Sequence, residues 1–254
     1  MKRLVVLAPN WLGDAIMALP AIADVRRAAP EVSITIAARA VIAPLFALVP
    51  TIDHTIVLAR PPSLRDAGSW RAIGAELAGN QFDTALLLPN SMHAALVASR
   101  AGIPERWGYR AGWRGALLTR AVPRVSGVHQ VEYYQRLARA LGFSNGAMEP
   151  NVTVPPAARD AGGCLLKKAG WDGQQPLVAL APGAAYGSAK RWPPPSFAGV
   201  VAALAADGVR CVMIGSAADA ATGEEVLHAL EGPDRLLPLI NLIGRTDLAT
   251  LAGV

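Results

Sequence analysis

Arg3-Leu4-Val5-Val6-Leu7-Ala8-Pro9-Asn10-Trp11-Leu12-Gly13-Asp14 opens the chain with an apolar run, a tight turn and an acid, and helical spacing follows as far as Ala28. A short, unbroken apolar run of this kind suits a strand covered on both faces. Val32–Ala38, Thr55–Ala59 and Phe82–Leu88 repeat it. Between them, Asp14–Ala28, Ser63–Ala78 and Asn90–Ala101 have helical length and spacing, with Asp14, Ser63 and Asn90 as expected N-caps. Alternation of strand and helix predicts an α/β fold built on a parallel sheet. Past Gly142 the pattern lapses into Ser144-Asn145-Gly146 and then Pro150 to Pro156, which is linker chemistry. It restarts with a helix at Arg159–Ala169, a strand at Pro176–Ala181, a helix at Ser196–Ala206 and a strand at Val209–Gly215. A helix at Ala220–Leu230 and a partly extended Leu236–Ile243 complete it. Two doubly wound modules, residues 1–155 and 156–254, are the simplest account. The second holds two or three strands, and its last helix, begun at Thr246-Asp247, stops short, so the chain is expected to be truncated.

Of the 254 residues, 52% are hydrophobic and 17% charged, which fits a sizeable core. Mean hydropathy is +0.32, yet no apolar stretch approaches the ~18–20 residues of a spanning helix. The start has no signal-like h-region, so a cytoplasmic protein is expected. Two cysteines, Cys164 and Cys211, fit a reducing compartment and exclude a disulfide scaffold or a Cys-rich metal site. Charge is concentrated. Arg100, Arg106, Arg110, Arg114, Arg120 and Arg124 face a single acid, Glu105, so this window carries the whole net charge of +5. A local basic patch points to one anionic partner at one place rather than a nucleic-acid coat. Trp107, Tyr109 and Trp113 interleave with the arginines and could hold sugars, bases or a lipid surface, or lie back on the core.

Turns after strands hold the candidate chemistry, because open parallel sheets bind ligands beyond the strands' carboxyl ends. In the first, Asp14 lies at the positive end of a helix, where it could take a proton from an attacking hydroxyl or simply cap the helix. In the second, Pro182-Gly183-Ala184-Ala185-Tyr186-Gly187-Ser188-Ala189-Lys190 offers small residues and a mobile cation. That combination suits a phosphate at the following helix, or is an exposed loop with a solvated lysine. In the third, Gly215-Ser216 precedes Asp219 and Glu224, which could take ribose hydroxyls or be ordinary solvated helix positions. There is no G-x-G-x-x-G, Walker A loop, D-x-D, H-E-x-x-H or G-x-S-x-G, and His54, His93, His129 and His228 form no cluster. Dinucleotide, metallohydrolase and serine-hydrolase readings lose their support.

Pro9-Asn10-Trp11-Leu12-Gly13-Asp14, with Ala18-Leu19-Pro20-Ala21, resembles the first motif of the ADP-heptose:lipopolysaccharide heptosyltransferases, glycosyltransferase family 9. Leu88-Pro89-Asn90-Ser91, Ala101-Gly102-Ile103-Pro104 and Gly112-Trp113-Arg114-Gly115 look like its type II branch. Pro182-Gly183-Ala184 with Lys190-Arg191-Trp192-Pro193 is similar to the family's donor loop. The resemblance implies a GT-B architecture, two Rossmann-like domains facing a cleft, the second incomplete here. Residues 1–155 would take the acceptor and 156–254 ADP-heptose. It implies Asp14 as general base, Lys190 on the diphosphate, and Gly183, Gly215, Asp219 and Thr246 as further donor contacts. Asn90, Arg110 and Arg114 would face the acceptor, an anionic lipid-linked inner-core saccharide at the inner face of the cytoplasmic membrane. The expected reaction is one inverting displacement of L-glycero-D-manno-heptose with no cofactor or required metal, and no nucleic acid is expected as partner. Siblings acting on another acceptor, type I or protein-heptosylating, share these motifs. An inactive chain that only binds nucleotide or anionic glycolipid stays open beside them.

Overall fold

Strand β1 (Arg3–Leu7) is hydrogen-bonded in parallel on both sides, to β2 (Ser33–Arg39) and to β4 (Thr84–Leu87). With β3 (His54–Leu58), β5 (Glu105–Tyr109) and β6 (Arg120–Val122) they form an all-parallel sheet of order β3-β2-β1-β4-β5-β6. That is the doubly wound Rossmann order, with its topological switch between β1 and β4. The computed structural model describes residues 1–58, 67–185, 188–230 and 239–254, without the side chains of 67–72 and 188. The expected cap Ser63, the strand end Ala59, the loop pair Tyr186-Gly187 and the stretch Leu236–Pro238 lie outside the described residues.

Central strands are apolar on both faces because both are covered. Val5, Leu7, Ala85 and Leu87 pack with Ile73 and Leu77 of α3 (Ala67–Gly79) and Ala95 and Val97 of α4 (Met92–Arg100). By strand alternation Leu4, Val6, Ile34 and Ile36, all nearly inaccessible, face the other way. A short α2 (Ala43–Phe46) follows β2. Helices α1 (Leu12–Ala28) and α5 (Gln130–Ala140) pack against each other. Their junction holds a buried acid, Asp24, which accepts from Arg27 at 2.8 Å, Gln135 Nε2 at 3.0 Å and the Gly146 amide at 2.9 Å. One carboxylate thereby joins α1, α5 and the segment leaving α5.

The structure corrects several local expectations. The first helix starts at Leu12 with Trp11 as N-cap residue, so Asp14 sits inside the first turn and caps nothing. Ser91, not Asn90, caps α4, accepting from the Ala94 amide at 3.2 Å. The arginine window, left without elements in the sequence reading, contributes β5, a 3₁₀ turn over Gly112–Leu117, and β6.

The chain divides into two compact units, Met1–Thr153 and Val154–Val254. The second has a parallel sheet β7-β8-β9 (Leu177–Leu180, Arg210–Met213, Leu239–Asn241). Val212 and Ile240 pack with Leu166 of α6 (Pro156–Lys168), and Cys211 packs oppositely with Ala198 and Val201 of α7 (Pro194–Ala206). Helix α8 (Ala220–Ala229) lies against α7, and α9 (Leu248–Gly253) against α6. At that last contact Gly162 and Gly253 admit the opposing backbone so closely that a Cβ at either would collide with it. Among the described residues no helix is long and apolar enough to cross a membrane.

Two carboxylates fasten the strand starts of the first unit. Asp83 accepts from the amides of Lys2 (2.5 Å) and Arg3 (2.9 Å), and Asp53 from the Ile34 amide (2.7 Å) and the Arg26 guanidinium (2.5 Å). Burial pushes both carboxyls up. The Thr84 hydroxyl and two amides at Asp83, and the Ile34 amide and Arg26 at Asp53, outweigh it and hold both below the ordinary 3.8. A carboxyl depressed in the folded state contributes stability above its unfolded value and loses it as pH falls through the folded value. The urea midpoint should therefore drop as pH falls from about 5 to about 2. Asp53→Asn with Asp83→Asn should flatten that slope, and an unchanged slope would remove these two groups from the account.

Candidate functional site

At the carboxyl ends of β1, β2 and β4 the first unit opens a small cleft. Its polar lining comes from Asn10 in the β1–α1 turn, Arg39 at the end of β2, and Ser91 and His93 at the start of α4. This is where a doubly wound sheet places ligands. Burial holds the His93 imidazole below its ordinary value, so it is neutral at pH 7. Asn10 belongs to a motif already singled out from the sequence. Arg39 and His93 do not, since a lone cation after a strand and a lone histidine in a helix carry no spacing signal.

Asp14, half-buried in the first turn of α1, has no hydrogen bond or ion pair within its unit among the described residues. It lies at the positive end of the helix. Across from it, α5 brings up Tyr134, whose hydroxyl is pushed up to about 12 by burial, with the Asp14 charge and Tyr133 adding to the shift. The carboxylate thus faces a neutral phenol rather than a cation that would neutralise it. Sequence reading missed α5 altogether, although Val131, Tyr134, Leu137, Ala138 and Leu141 form a helical stripe and Glu132–Arg136 an i,i+4 pair.

The loop between β4 and α4 is held from behind by Arg114, which the structure buries completely. Its Nη1 donates to the carbonyl of Pro89 and lies 3.5 Å from that of Ser91, while Nε and Nη2 are buried without a partner among the described residues. Burial lowers its pKa, yet a guanidinium stays charged. Arg114 was expected to face the acceptor as part of the basic patch; the structure instead buries it as a cation inside the wall. Asn90, in the same loop, donates to the Tyr133 hydroxyl at 2.8 Å, and Tyr109 donates to the Tyr133 carbonyl at 2.7 Å.

The other arginines also divide. Arg106 donates to the carbonyls of Leu117, Ile103 and Pro104 and so braces its own turn. Arg120 lies 4.9 Å from the ring centre of Trp107. Arg110 and Arg124 stay exposed, and beside Arg110 the Trp113 side chain is 89% exposed. The single basic patch is therefore smaller than the residue count suggests, because Arg106, Arg114 and Arg120 serve local contacts.

In the second unit the loops after β7 and β8 meet. Asp219 Oδ2 accepts from the Ser216 amide (2.8 Å) and hydroxyl (2.7 Å), and its carboxylate fills the space a Cβ on Gly183 would need. A Cβ on Gly215 would lie 3.1 Å from Asp219 Oδ2. The Gly244 amide donates to the Gly215 carbonyl at 2.9 Å, which ties the loop carrying Thr246 to the same place. Gly183, Gly215 and Asp219 are thus brought together. Lys190 ends an exposed 3₁₀ turn (Ser188–Lys190) just ahead of α7. Among the described residues no group of three His, Cys, Asp or Glu could hold a metal ion.

A profile of glycosyltransferase family 9 (heptosyltransferase) matches residues 70–254. The chain belongs to this family. Over 252 residues it is 30% identical to lipopolysaccharide heptosyltransferase 2 of Escherichia coli K12, spanning 97% of this chain and 72% of that protein. The structure of E. coli ADP-heptose lipopolysaccharide heptosyltransferase II superposes with a TM-score of 0.84 at 29% identity, covering all of this chain and 76% of that one. E. coli heptosyltransferase WaaC with ADP shares the fold, with a TM-score of 0.73 at 17% identity, over 99% of this chain and 77% of that one. Two parallel α/β units are what the GT-B expectation requires of each half, and the matches make the chain an enzyme of the heptosyltransferase class.

Within this family 9 chain, Gly108 of β5 leaves the room that Arg114 uses. A Cβ there would lie 2.7 Å from Arg114 Nη2 and 3.0 Å from the Leu87 carbonyl oxygen. Gly108→Ala should cost ~1–3 kcal/mol of stability by overpacking, read from urea denaturation. A cost within experimental error would show that Arg114 can move away and does not brace the β4–α4 loop.

Proposed function

We propose that the protein transfers L-glycero-D-manno-heptose from ADP-heptose to the inner core of lipopolysaccharide, as a heptosyltransferase of type II. The observation that carries this reading is Asp14. It stands at the switch point of the first sheet, in the first turn of α1 but not as its cap, with no hydrogen bond or salt bridge in its unit among the described residues. A structural acid would be committed to a cap or a cation. An uncommitted carboxylate at a helix N-terminus beside a ligand cleft suits a general base. Likeness to a curated type 2 enzyme along nearly the whole chain supports the substrate class.

In the proposed reaction an acceptor hydroxyl attacks the anomeric carbon of the heptosyl group. The bond from that carbon to the diphosphate oxygen breaks as the new glycosidic bond forms, the hydroxyl proton passes to Asp14, and ADP departs. The configuration inverts in this single displacement. Negative charge grows on the diphosphate as the sugar gains oxocarbenium character, so a cation there is worth more in the transition state than in the ground state. Lys190 is assigned that task, and it needs no metal ion. Gly183 and Gly215 would let the backbone approach the nucleotide, and Asp219 and Thr246 would complete the donor side. On the acceptor side Asn90 and Arg110 would contact the saccharide. The exposed pair Arg110 and Trp113 would rest loosely on an anionic lipid surface at the cytoplasmic face of the membrane.

Asp14→Asn removes the base while keeping size, and because Asp14 is not the cap it should cost little stability. Turnover, followed as ADP release with purified acceptor, should fall by ~10²-fold or more; near-normal turnover would end the base assignment. Lys190→Ala should raise the KM for ADP-heptose and lower kcat, together by ~10–100-fold in kcat/KM, as the loss of one charge-assisted contact does. If ADP affinity by calorimetry and kcat both hold, Lys190 is a solvated surface lysine.

A further inference from the structure

Three strand-end turns of the second unit converge around Asp219. This residue ends the 3₁₀ turn Ala217–Asp219, which follows β8 and leads into α8. Its Oδ2 accepts from the Ser216 amide at 2.8 Å and from the Ser216 hydroxyl at 2.7 Å, within a capping box. The same side chain reaches the turn after β7. A Cβ on Gly183 would have three atoms of Asp219 as its nearest neighbours, Oδ1, Cγ and Cβ, all too close to be tolerated. The turn after β9 joins from a third direction. Gly244, at φ +72°, donates its amide to the Gly215 carbonyl at 2.9 Å, and a Cβ on it would lie 3.1 Å from the Ala217 Cα.

A glycine just beyond a strand ordinarily reads as room for a ligand to approach the backbone. Over Gly183 that room is already taken, by a carboxylate of the same chain. The Ser216 amide, at the end of the next strand, is likewise spent on Oδ2. One short side chain therefore sets the distance between the turns after β7 and β8: bonded to one, it leaves the other no space for a side chain. We propose that Asp219 is a positioning residue, a latch that holds these two turns in register and acts on the donor nucleotide through Gly183 and Gly215. The proposal rests on the reading that the second unit takes ADP-heptose. It adds to that reading the reason Gly183 must lack a side chain, and makes shape rather than charge the requirement at position 219.

Calorimetric titration of the purified chain with ADP tests the latch in two ways. Both Ser216 bonds end on one oxygen of Asp219, and an amide oxygen can accept both. Asp219→Asn should therefore bind ADP within about threefold of wild type, whereas Asp219→Ala, which keeps neither bond, should lose ~10–100-fold. An equal loss in the two variants makes the charge the operative feature and overturns the proposal. Gly183→Ala should weaken ADP binding by ~10-fold or more, because its methyl displaces the carboxylate. Beside Asp219→Gly the three atoms that meet that methyl are gone, so Gly183→Ala should then add less than about twofold. Losses that multiply show two independent residues and overturn the latch. Where Gly183→Ala fails to fold, Asp219→Asn against Asp219→Ala decides.

Turnover separates positioning from plain stability. In Asp219→Ala the loss belongs in the KM for ADP-heptose, with kcat at saturating donor within about twofold of wild type. A fall in kcat with KM unchanged reports less folded protein and overturns the positioning role. If the wild-type chain binds no ADP, the donor reading fails, and Tm still decides the latch. Gly183→Ala should lower Tm in the wild-type background and leave it unchanged beside Asp219→Gly; equal lowering in both overturns it.

Discussion

Parallel pairing of β1 on both edges is the constraint from which the rest of the first unit follows. A strand bonded to β2 on one side and β4 on the other has no free edge, and covering both its faces demands helices above and below. That is why Leu4 to Leu7 are all apolar and all buried. It is also why the chain must leave β1 in one direction to build β2 and β3 and return in the other to build β4 to β6. Connections departing in opposite directions cannot fill the space over the carboxyl ends of β1 and β4. The cleft is the geometric residue of that divergence, and the β1–α1 turn has nowhere else to end.

Rigid walls around such an opening need polar fastenings, since loops carry backbone groups that apolar packing cannot satisfy. Asp24 and Arg114 supply them from opposite sides. Asp24 ties α1 to α5 and to Gly146 by buried hydrogen bonds, which fixes the helix that bears Asp14. Arg114 holds the carbonyls of the β4–α4 loop, which fixes Asn90 and Ser91. The two fastenings differ in electrostatics. Asp24 is answered by Arg27, so its charge is balanced locally, whereas among the described residues Arg114 meets carbonyl dipoles and a phenol and no acid. The first is a joint; the second is a joint that also leaves a field.

Much of this architecture could be read from the residues. β1, β2 and β4 were legible because strands buried on both faces write themselves as unbroken apolar runs, and so were the helices between them. β5 was not, because Glu105-Arg106-Trp107-Gly108-Tyr109 lies toward the polar end of the sheet and its charged residues imitate a loop. Arg114 was misplaced for a related reason. Sequence counts a charge but not what lies over it, and a buried arginine differs from a solvated one only through distant partners such as Pro89 and Gly108. The turns after β1, β7 and β8 were legible as sites through their position behind strands.

Asp14 and Asp219 show how the same residue type at comparable turns can take different parts. Both follow a strand, Asp14 in the first turn of α1 and Asp219 just ahead of α8. Asp219 is spent: one oxygen closes a capping box with Ser216, and the carboxylate lies over Gly183, so it fixes the two loops against each other before any ligand arrives. One oxygen, Oδ1, is left uncommitted by those bonds, which suits a contact made from a fixed position. Among the described residues Asp14 has both oxygens uncommitted, because Trp11 occupies the cap position and leaves the acid inside the first turn of the helix. A carboxylate that must accept a proton and release it cannot also be the hydrogen-bond acceptor on which a turn depends, since protonation would then loosen the turn at the moment of reaction. The shift of the helix start from Asp14 to Leu12 is a small difference in a boundary. Its consequence is that proton transfer at Asp14 and the integrity of α1 are separable.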